Sequence, residues 1–194
     1  MRVYIPATVP MLRELVANRE LRAVSGTAFA VTPALREAYA SGDDDELAEV
    51  AMGEAARASL RLLAAEREEP AESADHDPAD GAVPAESDDA GPTATRSHSP
   101  VYRRAVIAAD VIGAKLRSDL DDAVVRLTSP ISYDQIASVH VDLAEAEPQV
   151  AKAVDVVDAA DLGDTDAEFV LGDAEDHQLA WYAAQELPFL LELL

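Results

Sequence analysis

Two histidines and two aspartates near the C-terminal end are the residues whose types and spacing best suit chemistry. His140 and Asp142 alternate along a predicted strand, so their side chains share one face. Asp173 and His177 stand four residues apart, and on a helix they lie one turn apart on one side. A histidine beside carboxylates can act as a general base or bind a divalent metal with them. These four residues are the candidates for a metal or catalytic site.

The same C-terminal segment also allows a purely structural interpretation. Its apolar spacing predicts one helix from Asp173 to about the C-terminus, with Trp181 one turn after His177. The acids near Asp173 then cap that helix, and Trp181 and Tyr182 dock it onto the sheet. No second histidine completes an H-E-x-x-H zinc motif. Trp181 and Tyr182 are also candidate binding residues, as an alternative to this docking role.

Motifs for a nucleophile or a phosphate-binding loop are missing from the sequence. The chain has no cysteine and no G-x-S-x-G, S-x-x-K, G-x-G-x-x-G or G-x-x-x-x-G-K pattern. Arg103 and Arg126 can bind a small anion if their segments pair as a hairpin, although such residues more often pair with surplus acids. Catalytic residues therefore stay unknown, and no cofactor is expected.

Acidic residues dominate the composition of the 194-residue chain. It holds 38 Asp and Glu against 15 Lys and Arg, which gives a net charge of −23. Residues 142–176 alone carry twelve acids against Lys152. Their oxygens can bind Ca²⁺ or Mg²⁺, but the EF-hand loop pattern is absent and a solvated acidic face accounts for them. The charge argues against direct nucleic-acid binding, because a phosphate-backbone binder needs clustered Lys and Arg.

The acidity suggests a non-catalytic interaction or regulatory module that binds a basic protein partner. Complementary charge speeds the encounter of two proteins and excludes wrong partners. The alternative is an enzyme or a divalent-metal-dependent binding protein that uses His140, Asp142, Asp173 and His177. Adaptation to high salt and mimicry of DNA by carboxylates also remain open as explanations of the charge.

Targeting and membrane signals are missing from the N-terminus. Pro6, Pro10 and Arg13 interrupt any apolar run there, whereas a secretory signal needs about 7–15 unbroken apolar residues. No window approaches the ~18 apolar residues of a membrane span. We therefore expect a cytoplasmic protein that has no membrane-spanning segment.

Residues 67–100 differ in composition from the rest of the chain. They hold five of the eleven prolines, nine acids and two arginines, and Val83 is their one large apolar residue. A disordered, acidic, proline-rich linker is predicted, because such a segment buries too little surface to offset its ordering entropy. It is either a tolerated insertion or a docking or phosphorylation segment. Residues 1–66 and 101–194 are expected to be two halves of one domain, since each has too few core residues alone.

The apolar patterns of the two halves predict alternating strands and helices. Strands are predicted at 2–7, 27–31, 102–111, 123–127 and 138–143, and helices after Thr8, after Thr32, from Asp43, from Pro148 and from Asp173. We expect an α/β domain, or alternatively α+β, with a mixed sheet of four to five strands flanked by helices. Strand 2–7 should lie parallel to 27–31, and 102–111 should form a hairpin with 123–127.

Four segments resemble an uncharacterised actinobacterial family of small acidic proteins, a domain of unknown function. The segments are RVYIPATVPMLRELV, AFAVTPALREAY, SVHVDLAEAE and DAEDHQLAWYAAQE. The resemblance spans most of the chain outside 67–100. It implies one domain and a cytoplasmic, actinobacterial origin, and it implies no activity, cofactor or catalytic residue.

Overall fold

Strands and helices alternate along the chain in a computed structural model that describes residues 1–72 and 101–194. The strands are β1 (Arg2–Ala7), β2 (Glu20–Leu21), β3 (Thr27–Phe29), β4 (Ala105–Asp110), β5 (Lys115–Leu116), β6 (Val124–Arg126), β7 (Ile131–Ser132), β8 (Ile136–Val141) and β9 (Ala180–Tyr182). The helices are α1 (Val9–Asn18), α2 (Pro33–Ala38), α3 (Asp44–Glu72), α4 (Glu147–Asp161), α5 (Thr165–Glu175) and α6 (Leu187–Leu193). Helix α3 extends past the predicted start of the linker, and the rest of that linker lies outside the described residues.

Seven strands form one sheet in the order β5-β6-β3-β1-β4-β8-β9, and every neighbouring pair is antiparallel. The predicted mixed sheet of four to five strands is therefore wrong, and the fold is α+β. The parallel arrangement predicted for β1 and β3 is also wrong, because the two strands pair antiparallel with Tyr4 opposite Phe29. Strand β3 therefore runs back alongside β1. Strand β2 pairs with β7 in a separate two-stranded sheet.

Strands from both halves of the chain alternate within the large sheet. Strand β1 pairs with β4 over six residues, from Arg2 opposite Asp110 to Ala7 opposite Ala105. The two halves therefore form one domain, as their small separate cores predict. The predicted hairpin between 102–111 and 123–127 does not form, because β1 and β3 lie between β4 and β6.

Both faces of the sheet are covered, which explains why β1 and β4 are apolar at nearly every position. On one face Ile5 and Ile107 pack against α1 and α6. On the other face Tyr4 and Val106 pack against α2 and α3. Helices α4 and α5 pack in turn on the C-terminal half of α3 around Leu60. None of the described helices is long and apolar enough to cross a membrane.

Helix α3 is held on the sheet by Ser59, which is buried. Its hydroxyl group donates a hydrogen bond to the carbonyl oxygen of Ala7 at 2.7 Å and accepts one from the amide of Ala105 at 3.1 Å. These two residues are paired where β1 ends and β4 begins. The hydroxyl thus sets the position of α3 above that end of the sheet.

The predicted C-terminal helix is wrong, because residues 173–194 do not form one continuous helix. Helix α5 ends at Glu175, β9 joins the edge of the sheet, and α6 begins at Leu187. The aromatic residues Trp181 and Tyr182 favour a strand, and Pro188 in the first turn of α6 marks a new helix start. Apolar spacing alone did not reveal the break, because the apolar residues of 179–194 also fit helical spacing.

Candidate functional site

A cleft of about 580 Å³ opens between α3 and the segment that connects α5 to β9. The wall formed by α3 carries Glu49 and Glu54 among apolar side chains such as Met52. The opposite wall is formed by Glu175 and residues 177–179. The cleft thus combines carboxylates with apolar surface, which suits a ligand with a cationic end and an aliphatic stem.

Arg104 lines the cleft but contributes no excess charge to it. The residue is 2% exposed, and its guanidinium group donates from Nε at 2.9 Å and from Nη2 at 2.8 Å to the carboxylate of Asp142. Nη2 also donates to the carbonyl oxygen of His177 at 2.8 Å. Arg104 therefore neutralises Asp142, which is 1% exposed, and anchors the segment after α5 to the sheet.

Arg57 is the second arginine that lines the cleft, and it is also occupied. Its guanidinium group donates to Glu168 at 2.6 and 3.2 Å. The same group lies 3.6 Å from a carboxylate oxygen of Glu175 and 3.7 Å from one of Asp161. Three carboxylates surround this one cation, so Arg57 offsets only part of the charge of the other acids in the cleft.

Glu49 and Glu54 supply the negative charge that is left uncompensated. Among the residues that the structure describes, neither carboxylate forms a hydrogen bond or an ion pair. Burial raises the pKa of Glu54 above its ordinary value, and the carboxylates of Asp121 and Glu175 raise it further, against the opposing effects of Arg57 and Arg61. Such a shift shows that the ionised form is disfavoured in the free protein. A cation in the cleft would relieve this cost.

The four metal or catalytic candidates from the sequence lie in different environments. His140 is half-buried on β8, where burial lowers its pKa, and Asp142 is paired with Arg104. Asp173 is exposed on α5. His177 lies just after the end of α5, and its carbonyl oxygen accepts the hydrogen bond from Arg104. Within residues 1–72 and 101–194, no group of three or more His, Asp or Glu side chains is arranged to hold a metal ion.

The two arginines among the four predicted binding residues are also separated. Arg103 donates to Glu147 at 2.6 Å, whereas Arg126 is exposed on β6, which two intervening strands separate from β4. The hairpin that would have joined them is absent, so they share no anion site. Trp181 is 61% exposed on the edge strand β9, and Tyr182 packs partly against the core. Trp181 therefore does not dock a helix onto the sheet.

Sequence patterns only partly predict that Arg104 and Glu54 lie at the cleft. Arg104 alternates with Val106, whose side chain packs under α3, and this alternation is a signal that Arg104 lies on the same face. Its partner Asp142 lies 38 positions away, beyond the reach of local patterns. Glu54 stands at the margin of the apolar stripe of α3, which is where a half-buried carboxylate is expected.

A model of a family of unknown function, DUF6912, matches residues 1–191. The chain belongs to this family. The match covers both halves of the chain and all the elements that form the cleft. No curated protein and no solved structure significantly matches the chain. Family membership thus supports an uncharacterised domain that spans the chain.

Proposed function

We propose that the protein is a non-catalytic interaction or regulatory module that binds a basic segment of a protein partner in the cleft beside α3. The observation that carries this proposal is the pair Glu49 and Glu54, which remain uncompensated next to two arginines that are already paired. A lysine or arginine side chain from a partner supplies the missing charge.

The lining of the cleft suits a long cationic side chain. Val50, Met52 and Leu179 offer apolar surface to its methylene groups, while the carboxylates receive its charged end. The ionised form of Glu54 is disfavoured in the free protein, so a bound cation stabilises it more than it would a fully solvated carboxylate. The cleft therefore favours Arg or Lys over a neutral residue.

The charge of the whole chain supports the same proposal. At −23 the protein attracts basic partners over a distance of about one Debye length, which raises the rate of encounter. The setting that we propose is the cytoplasm of an actinobacterium, as the sequence resemblance implies. Selectivity among basic partners then depends on the local fit at the cleft rather than on the overall charge.

A synthetic peptide of alternating Arg and Val, here called the Arg-Val peptide, tests the proposal. We expect it to bind the full chain with an affinity that falls as salt is added, and we expect a Glu-Val peptide not to bind. Replacing both uncompensated carboxylates, Glu49→Gln with Glu54→Gln, should weaken binding of the Arg-Val peptide about tenfold, because two charge-assisted contacts are lost. Fluorescence anisotropy of the labelled peptide measures each affinity.

The matched control is Glu14→Gln with Glu37→Gln, which changes the net charge equally at two exposed positions outside the cleft. We expect this control to change the affinity by less than about twofold, because exposed distant charges are screened. Equal weakening by the two double variants would show non-specific attraction and would contradict a site in the cleft. Failure of the Arg-Val peptide to bind the unmodified protein would contradict the proposed function itself.

A further inference from the structure

Among the residues that the structure describes, β9 is the last strand at one edge of the seven-stranded sheet, and it carries no charged residue. The opposite edge, β5, consists of two residues and includes Lys115, a common protection against unwanted strand pairing. Strand β9 instead presents Ala180, Trp181 and Tyr182, and Trp181 is 61% exposed. Exposed tryptophan on an unprotected edge is typical of a binding surface.

The hydrogen bonds of β8 show which main-chain groups of β9 face outward. The amide of Asp142 donates to the carbonyl oxygen of Arg104 at 3.0 Å, so the main-chain groups of Asp142 point toward β4. Because these groups alternate along an antiparallel strand, those of Val141 point toward β9, where Ala180 is its register partner. The N–H and C=O groups of Trp181, the next residue of β9, therefore point to the open side.

The free stretch of edge is continuous with the cleft. The next outward amide, that of Ala183, is already occupied, since it donates to the carboxylate of Glu186 at 2.8 Å. In the other direction, Leu179 lies two residues before Trp181 and lines the cleft. A strand added beside β9 would thus begin to pair at Trp181 and extend past the cleft.

The side chain of Trp181 projects on the same face of the sheet as the cleft. Trp181 lies opposite His140, which shares a face with Asp142 two residues later. Asp142 binds Arg104, and Arg104 lines the cleft. In an antiparallel pair, a residue opposite Trp181 would exchange both main-chain hydrogen bonds with it and project its own side chain on this face.

We propose that the basic segment binds as an added antiparallel strand along β9, with alternate cationic side chains directed over Trp181 toward the cleft. This inference rests on the proposed function and specifies the conformation of the partner. Main-chain hydrogen bonds to Trp181 hold the segment, and its indole ring and the carboxylates receive the cations.

A basic partner fits this edge better than a second copy of the chain. Two copies joined through β9 would place two acidic clefts side by side, and each copy carries a charge of −23. Like charges at such close range oppose association. A segment with alternating Arg or Lys residues is instead attracted to the acidic cleft. Its charge and its main-chain hydrogen bonds then both favour binding along β9.

Methylation of peptide nitrogens tests strand addition without changing any charge. In the proposed arrangement the Arg residues of the Arg-Val peptide donate their amide N–H groups to β9, whereas the Val amides point away. We expect N-methylation of the arginines to weaken binding about tenfold and N-methylation of the valines to have little effect. Equal affinities of the two methylated peptides would overturn the proposal.

Two substitutions in β9 provide the complementary test. Trp181→Pro removes the indole ring and the outward N–H group, and proline is tolerated on an edge strand when its missing N–H faces solvent. Trp181→Ala removes the ring alone and serves as the matched control. We expect the proline variant to bind the Arg-Val peptide several-fold more weakly than the alanine variant, with both folded by circular dichroism. Equal binding by the two folded variants would overturn the proposal.

The outcomes separate strand addition from the proposed function. In one outcome the unmethylated peptide binds in a salt-sensitive manner that depends on Glu49 and Glu54, but the two methylated peptides bind with equal affinity. The basic segment then binds in the cleft without joining the sheet. Strand addition then fails while the proposed function stands. If the unmethylated peptide does not bind at all, both fail.

Discussion

Glu54 shows how a single residue links the stability of this protein to its proposed function. Its carboxyl group is half-buried near other acids, and burial together with Asp121 and Glu175 raises its pKa. A carboxylate that is disfavoured in the folded state reduces stability when it is ionised. Its position in a cleft is consistent with a binding role, since functional sites often keep such unfavourable groups.

We expect Glu54→Gln to stabilise the protein at neutral pH. The pKa of Glu54 is higher in the folded than in the unfolded state. The favourable contribution of this carboxyl group to the free energy of unfolding is therefore present below the ordinary glutamate pKa and is lost as the pH rises through the raised value. Glutamine does not ionise, so the variant does not undergo this loss of stability. The gain should stay below about 1 kcal/mol, because solvent screens a half-exposed group. Urea unfolding at neutral pH measures it.

The pH dependence provides the check on this explanation. The difference between Glu54→Gln and the unmodified protein should vanish in acid, below the ordinary glutamate pKa, where both side chains are neutral. Glu14→Gln, at an exposed position of α1, serves as the control and should leave the stability nearly unchanged at either pH. A variant that is equally stable or less stable than the unmodified protein at neutral pH would show that Glu54 is not strained.

At the scale of elements, one buried ion pair determines how the second wall of the cleft is attached. Arg104 precedes β4, Asp142 follows β8, and the carbonyl oxygen of His177 belongs to the segment between α5 and β9. One guanidinium group thus joins three parts of the chain. Buried pairs of this kind cost desolvation free energy, so their main effect here is to determine which segments meet.

We expect Arg104→Met to destabilise the protein by about 3–5 kcal/mol, because it leaves the carboxylate of Asp142 buried without a partner. Adding Asp142→Leu should restore much of that loss, since two apolar residues can replace a buried pair. Arg103→Met is the control, because Arg103 pairs with the partly exposed Glu147 and should lose much less. Chemical unfolding measures all three. If Arg104→Met were as stable as Arg103→Met, Arg104 would not be needed to compensate the buried carboxylate of Asp142.

At the scale of the whole molecule, arginines are too few to neutralise the acids. Arg57 lies beside three carboxylates, and several other arginines each hold a single carboxylate on the surface. The remaining acids repel one another over the whole surface. Such self-repulsion keeps a protein soluble but destabilises its compact state.

We expect moderate salt to raise the melting temperature. At about 0.15 M ionic strength the Debye length falls to about 8 Å, which screens most repulsion between exposed acids. Differential scanning calorimetry from low salt upward measures the effect, which should level off once the screening is complete. A melting temperature that keeps rising into molar salt would favour adaptation to high salt, and one that falls on the first addition would contradict net repulsion.

Local signals in the sequence were sufficient to predict several elements. The side chain of Thr32 caps α2 by accepting the amide of Leu35 at 3.1 Å, and Pro33 occupies its first turn. Thr8 and Pro10 do the same for α1, and β1 spans the predicted residues Arg2–Ala7. These features depend on contacts within a few residues, so their residue types are sufficient to predict them.

What the sequence by itself determined is the acidity, most of the elements and the union of the two halves in one domain. Only the tertiary structure decided the strand order, the antiparallel pairing and the cleft. Strand β1 pairs with β4 across about one hundred positions, and Arg104 meets Asp142 across 38. Strand periodicity shows which residues are extended and buried, but each apolar strand can pair with several others. The choice depends on how the helices pack on both faces of the sheet, a property of the whole chain.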